Sequence, residues 1–247
     1  MKEGKRLKLK NTIDKGVVIG MDKRFGITHI VLAVFHKSEL LKDSFDLALA
    51  IKNKIGTTFN TSPIILPGDG APPEIPRVIF KSGNGIALTV SQKVTSLQLD
   101  VLAVASPDKI LYDFLGIGND VISLVVEDFE SEIARLGVVL VGNLTLETTG
   151  AEFVKETYLK CCDEPLFGSE AHWLTHPVLG SENVNRWVRI KADTDLDGVS
   201  NKFVEIIIDS NTMYKPEHTV SRDNARHYIK MCFDDLHNNF DAIAKLI

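Results

Sequence analysis

The sequence predicts an α+β protein made of two similar halves. Three observations carry that prediction: β-rich runs alternate with a few amphipathic helices, one order of elements occurs twice, and corresponding elements keep a nearly constant spacing. The expected halves span residues 26–135 and 136–247, each a β-α-β-β-(β)-α unit, behind a basic arm at residues 1–25. Antiparallel sheets backed by long helices and related by a pseudo-twofold follow from that order.

The first strand is read at residues 26–36, where Ile27, Ile30, Val31, Leu32, Val34 and Phe35 form a β-rich run. Ser38 offers an N-cap hydroxyl. Residues 39–55 then carry Leu41, Phe45, Ala48, Ile51 and Ile55 at helical spacing, and Gly56 is expected to close that helix in the left-handed conformation. Pro63, Pro67, Pro72, Pro73 and Pro76 predict an extended connector, because proline removes amide donors and restricts its predecessor. A hairpin follows: residues 77–82, the turn Gly83-Asn84-Gly85 with its demand for positive φ, and residues 86–92. A further strand at about 94–105 places Leu97, Leu99, Val101 and Ala103 on one face. Ser106-Pro107-Asp108 opens helical sequence that reaches Arg135, with a break at Gly116 and Gly118 and a stripe of Val121, Leu124, Val125, Phe129 and Ile133.

The second half repeats the order. Residues 137–147 read as a strand, Thr148 and Thr149 cap a helix to about 161, and residues 163–183, with Pro165 and Pro177, read as a second long connector. Residues 184–192 and 202–209 form the next hairpin around a polar turn at Asp195 to Gly198. Ser221 caps the last helix, whose Ala225, Ile229, Cys232, Leu236, Phe240, Ile243 and Ile247 recur at three- and four-residue steps. Strands near 26 and 137, helix caps near 38 and 149, hairpins near 77 and 184 and long helices near 110 and 221 give offsets of 107 to 111 residues.

Composition narrows the function classes. Apolar residues make up 44% and charged residues 25%, and no apolar run approaches the roughly 20 residues that span a bilayer, so no membrane partner is expected. A net charge of −5 disfavours polyanion binding by the chain as a whole. The arm is the local exception, with Lys5, Arg6, Lys8 and Lys10: a solubilising tail on the plain reading, a phosphate or nucleic-acid contact on the sharper one. Three cysteines, two of them adjacent, make no disulfide framework, and no hydrophobic run follows the amino terminus; both point to a reducing cytoplasm.

Few strings carry chemistry. Asp193, Asp195 and Asp197 ahead of Gly198 match the opening of a calcium loop, yet Val204 stands where that loop needs a bidentate glutamate, so a polar hairpin turn is expected. Cys161, Cys162, His172 and His176 are a weak soft-metal set, because adjacent cysteines rarely reach one ion. Gly116 and Gly118 lack the third glycine and the Lys-Ser/Thr of a phosphate cradle. His29, His36 and His237 read as structural, and Asp234-Asp235 as the solvent side of the last helix. No metal, cofactor or catalytic set is therefore assigned. Trp187, Arg189 and Lys191 alternate with Val188, Ile190 and Ala192, so the first three are expected on the sheet face away from the helices, as a partner surface.

Glu74 to Phe80, Asn84 to Ser91 with Leu97-Gln98-Leu99, Arg135-Leu136-Gly137-Val138 at the midpoint, and Phe233-Asp234-Asp235-Leu236-His237-Asn238-Asn239-Phe240 near the end together carry a resemblance. The chain resembles a sporadically distributed family of prokaryotic two-lobed α+β proteins, departing from it at Val139-Leu140 and Gly142, where that family tends to place Arg-Tyr and Asn. The resemblance implies the two-lobed fold and a setting in defence or mobile-element systems, and brings no catalytic residues. The expected function is a non-catalytic binding or assembly module that holds another protein or a second copy. The alternatives are a nucleic-acid or nucleotide-binding module using the arm, and a metal-dependent hydrolase around residues 161–176.

Overall fold

The computed structural model describes residues 25–66, 70–102, 106–158, 169–192 and 202–244. The basic arm, Cys161, Cys162 and the turn bearing Asp193, Asp195 and Asp197 lie outside the described residues. Ten strands form an antiparallel sheet: β1 (Phe25–His36), β2 (Ile64–Ile65), β3 (Val78–Lys81), β4 (Ile86–Val90), β5 (Val94–Asp100), β6 (Ile133–Thr145), β7 (Ser169–Thr175), β8 (Val178–Leu179), β9 (Glu182–Ala192) and β10 (Phe203–Thr212). Their spatial order is β2-β3-β4-β5-β1-β6-β10-β9-β7, with β8 paired to β9. Four helices among the described residues, α1 (Ser44–Ile55), α2 (Pro107–Ser123), α3 (Gly150–Tyr158) and α4 (Arg222–Ala244), share a core with one face of that sheet. None of them is long and apolar enough to cross a membrane.

The centre of the sheet is the pairing of β1 with β6, from Phe25 opposite Leu144 to His36 opposite Ile133. A bulge between Ile27 and His29 switches the buried phase of β1 from odd to even positions. Phe25 and Ile27 on one side of the bulge, and Ile30, Leu32 and Val34 on the other, thereby all reach the helix face. Over that centre α2 crosses β1 at Gly118, where an added Cβ would lie 3.3 Å from Leu32 Cδ2. The expected helix break at Gly116 and Gly118 does not occur: α2 runs unbroken through both, and Gly118 serves close helix–strand approach. Phe114 of α2 and Phe233 of α4 meet at 6.1 Å between ring centroids, joining the two helices over the sheet.

Other expectations need correction. Helix α1 begins at Ser44 with Asp43 as its N-cap, not Ser38, because carbonyls beside the strands take the preceding amides: Lys37 N–H donates to Glu132 O (2.9 Å), just before β6, and Leu40 N–H to Gln92 O (2.9 Å), in the turn between β4 and β5. Its buried stripe is Leu47, Ala48, Ile51 and Ile55, leaving Leu41 and Phe45 exposed. Gly56 has φ −60°, so the chain leaves α1 through one tight turn, Gly56–Thr58, instead of a left-handed cap. The proline-rich connector contributes the short edge strand β2. After Ser123 a wide turn closes with Phe129 N–H donating to Leu124 (2.9 Å), and β6 starts at Ile133. Ile133 and Arg135 are thus strand residues, not the end of a helix. The second connector is largely sheet, since β7, β8 and the start of β9 lie within it. Gly85 does adopt positive φ in its turn, and Thr149 and Ser221 do cap α3 and α4.

A small polar group is sealed near one end of the central pair. His36 is buried, with Nδ1 3.0 Å from Ser131 Oγ and Nε2 3.1 Å from Thr95 Oγ1. Burial lowers its pKa from 6.5 to about 4. Because the folded value is depressed, the unfolded chain takes up the proton first, and stability present above pH 6.5 is lost as pH falls towards 4. Urea unfolding should therefore show about 2 kcal/mol less stability at pH 5 than at pH 7, and this increment should vanish in His36→Gln. An unchanged pH slope in that variant would remove His36 as the cause.

Candidate functional site

With helices on one face, the other face of the sheet carries no helix among the described residues. Strand alternation decides what lies there. In β9, Val184, Val188, Ile190 and Ala192 are buried under the helices, while Trp187, Arg189 and Lys191 point outward, as their spacing predicted. Register places Arg189 between Ile207 of β10 and His172 of β7, and Trp187 between Asp209 and Leu174. Lys191 lies between Glu205 and Glu170.

These side chains form a cleft of about 510 Å³ whose lining includes Val139, His172, Trp187, Arg189, Ile207 and Asp209. The Trp187 indole is 45% exposed and its ring centroid lies 6.1 Å from that of His172. Glu170 orients the opposite wall: its Oε1 is 2.9 Å from Arg189 Nε and 3.7 Å from His172 Nδ1. On the inner side Asp209 accepts a hydrogen bond from Asn211 Nδ2. Burial raises the Asp209 pKa, while that hydrogen bond and the charge of Arg135 work against the rise. The cleft thus joins an apolar floor, an exposed indole, a guanidinium and a carboxyl that protonates more readily than usual. Such a set is chemically suited to a mixed apolar and polar group.

The remaining expected site residues are not brought together. His176 is exposed at the end of β7 and pairs through Nδ1 with Asn185 Oδ1 at 2.9 Å, away from the Trp187 cleft that His172 lines. Among the described residues no group of three or more His, Cys, Asp or Glu is placed to hold a metal ion. Asp234 is exposed and paired with Lys230, but Asp235 corrects the solvent-side reading: its carboxylate meets the largely buried Arg186 guanidinium and ties α4 to β9. His29 pairs with Asp100 at 2.6 Å. Cys232 packs in the core, where burial pushes its thiol up to about 12, so it is no nucleophile at neutral pH.

Sequence reasoning missed Val139, Ile207 and Asp209. Ile206-Ile207-Ile208 is apolar on both faces, which hides the alternation; Ile207 is legible as an outward residue only once its pairing with Arg189 is known. No protein-family model matches the chain, and a search of curated proteins finds no match.

Trp187 reports on this cleft. In a Trp173→Phe background, its fluorescence should titrate with a midpoint above the ordinary aspartate value, following Asp209, and the transition should disappear in Asp209→Asn. A midpoint at or below the ordinary value would contradict the buried environment assigned to that carboxyl.

Proposed function

We propose that the chain is a binding module in which two similar halves share one sheet, and that the outer face of the second half holds a protein partner. The element order supports the duplication. From β1 to α2 the chain runs strand, helix, four strands, helix, and from β6 to α4 it does so again. Outward from β1 the sheet continues β5, β4, β3; outward from β6 it continues β10, β9, β7. A twofold between halves calls for an antiparallel pair at its axis, which is the place of β1 and β6.

The observation that carries the binding reading is the Trp187 cleft. Large exposed aromatics beside arginine are the residue types that dominate protein interfaces. Trp187 is accompanied by Leu174, 39% exposed on the neighbouring strand. The corresponding strands of the first half present Ala87, Thr89, Ser96 and Gln98 outward, so the contact surface belongs to one half only. The partner this cleft suits is a protein that inserts an apolar side chain against the indole and offers a carboxylate to Arg189.

A photo-crosslinking amino acid at position 187, compared with one at the exposed Tyr112 of α2, tests this in the native cell. The expected result is a discrete protein adduct, a second copy included, at 187 and not at 112. Arg189→Glu should reduce it about tenfold or more. Adducts to nucleic acid, or equal background at both positions, would overturn the reading.

A further inference from the structure

Where β1 ends and β6 begins, a second cleft of about 420 Å³ opens, lined in part by Phe35, Lys37, Lys93, Arg135 and Tyr214. Three cations converge on it from separate elements: Lys37 follows β1, Lys93 lies in the turn between β4 and β5, and Arg135 is on β6. The Arg135 guanidinium carbon sits 4.2 Å from the Phe35 ring centroid, a contact that fixes its plane. Its Nε is buried and has no hydrogen-bond partner among the described residues. Because Nε is shut off from solvent, an anion from outside meets this charge at the terminal Nη groups, for which no partner is found among the described residues.

The carboxylates nearby do not satisfy that need. Glu39 shares the lining of the cleft. Asp209 feels the Arg135 charge, but no carboxylate among the described residues lies within ion-pair distance of the guanidinium. Lys37 Nζ donates to Thr219 Oγ1 at 2.7 Å and lies 3.1 Å from Glu132, and Glu74 is 2.8 Å from Lys93, yet these carboxylates are 65% and 60% exposed. Exposed pairs of that kind are weakly held, so both lysines can turn to an incoming anion.

We propose that this cleft is a phosphate site, with Arg135 donating from its guanidinium and Lys37 and Lys93 closing over the remaining oxygens. Three cations match a doubly charged group with three free oxygens; a carboxylate would leave one of them unused. The volume exceeds that of a phosphate alone and leaves room for an ester substituent beside the exposed Tyr214. The site shares no lining residue with the Trp187 cleft and does not rest on the protein-partner reading.

The test titrates the whole chain with inorganic phosphate and, as the ester probe, AMP, against chloride at matched ionic strength. The readouts are the Arg135 Nε–H resonance and the unfolding temperature. A saturable shift and a rise in Tm are expected with at least one probe, and the tighter of the two identifies a free anion or an ester. Arg135→Gln should weaken binding about tenfold and Lys93→Gln about threefold, the latter at an exposed side chain whose replacement leaves the fold intact. No saturable response beyond chloride, or affinity unchanged in both variants, would overturn the proposal.

Discussion

The antiparallel pairing of β1 with β6 is the contact on which the rest of the molecule depends. It lies near the middle of the strand order and joins the first and second runs of strands into one sheet. Because both strands bury alternate residues under the helices, Ile30, Leu32 and Val34 meet Leu136, Val138 and Leu140 in one continuous core. A register slip of one residue would turn that whole set outward, so the apolar pattern strongly specifies the pairing. The bulge near Thr28 lets β1 keep its apolar residues inside along its full length.

An antiparallel sheet needs cover on one face only. Here the helices supply that cover, and what remains is an outer face of half-buried strand residues. Its polar groups are held by neighbours on adjacent strands, as with Glu170 and Arg189, or Asn211 and Asp209. The core side is tied just as locally: Thr212 Oγ1 accepts from Leu136 N–H at 2.9 Å, and the Tyr228 hydroxyl donates to Ser210 O at 2.8 Å. Both proposed clefts follow from this one-sidedness. The Trp187 cleft is floored by strands of rigid register, a construction that positions groups better than loops do, whereas the second cleft takes Phe35 and Arg135 from strands and Lys37, Lys93 and Tyr214 from the connections beside them.

Much of the fold is legible in the sequence, and the failures have physical reasons. Strands β1, β4, β6, β9 and β10 announce themselves through Val, Ile and Leu runs, and the caps at Thr149 and Ser221 through hydroxyls ahead of helical periodicity. The start of α1 is not legible, because Leu41 and Phe45 fit helical spacing while the carbonyls of Glu132 and Gln92, distant in the chain, claim the amides before them. The strands β7 and β8 are hidden for a related reason: Pro177 and the histidines around Trp173 look like a connector until β9 provides a partner. Of the first cleft, Trp187 and Arg189 are readable by alternation within β9, whereas Val139, His172, Ile207 and Asp209 arrive from three other strands.

By itself the sequence determined most of the local elements and, where polar and apolar residues alternate as in β9, which residues face the core, since these depend on propensity, capping and a two- or three-and-a-half-residue period. Only the tertiary structure decided which strands became neighbours, that Gly118 marks a crossing and not a break, and that Arg135 lies across Phe35 with its Nε unmet. Those facts depend on contacts between residues far apart in the chain. No local pattern encodes the distance from Arg135 to Lys93 or from Trp187 to His172; strand pairing does.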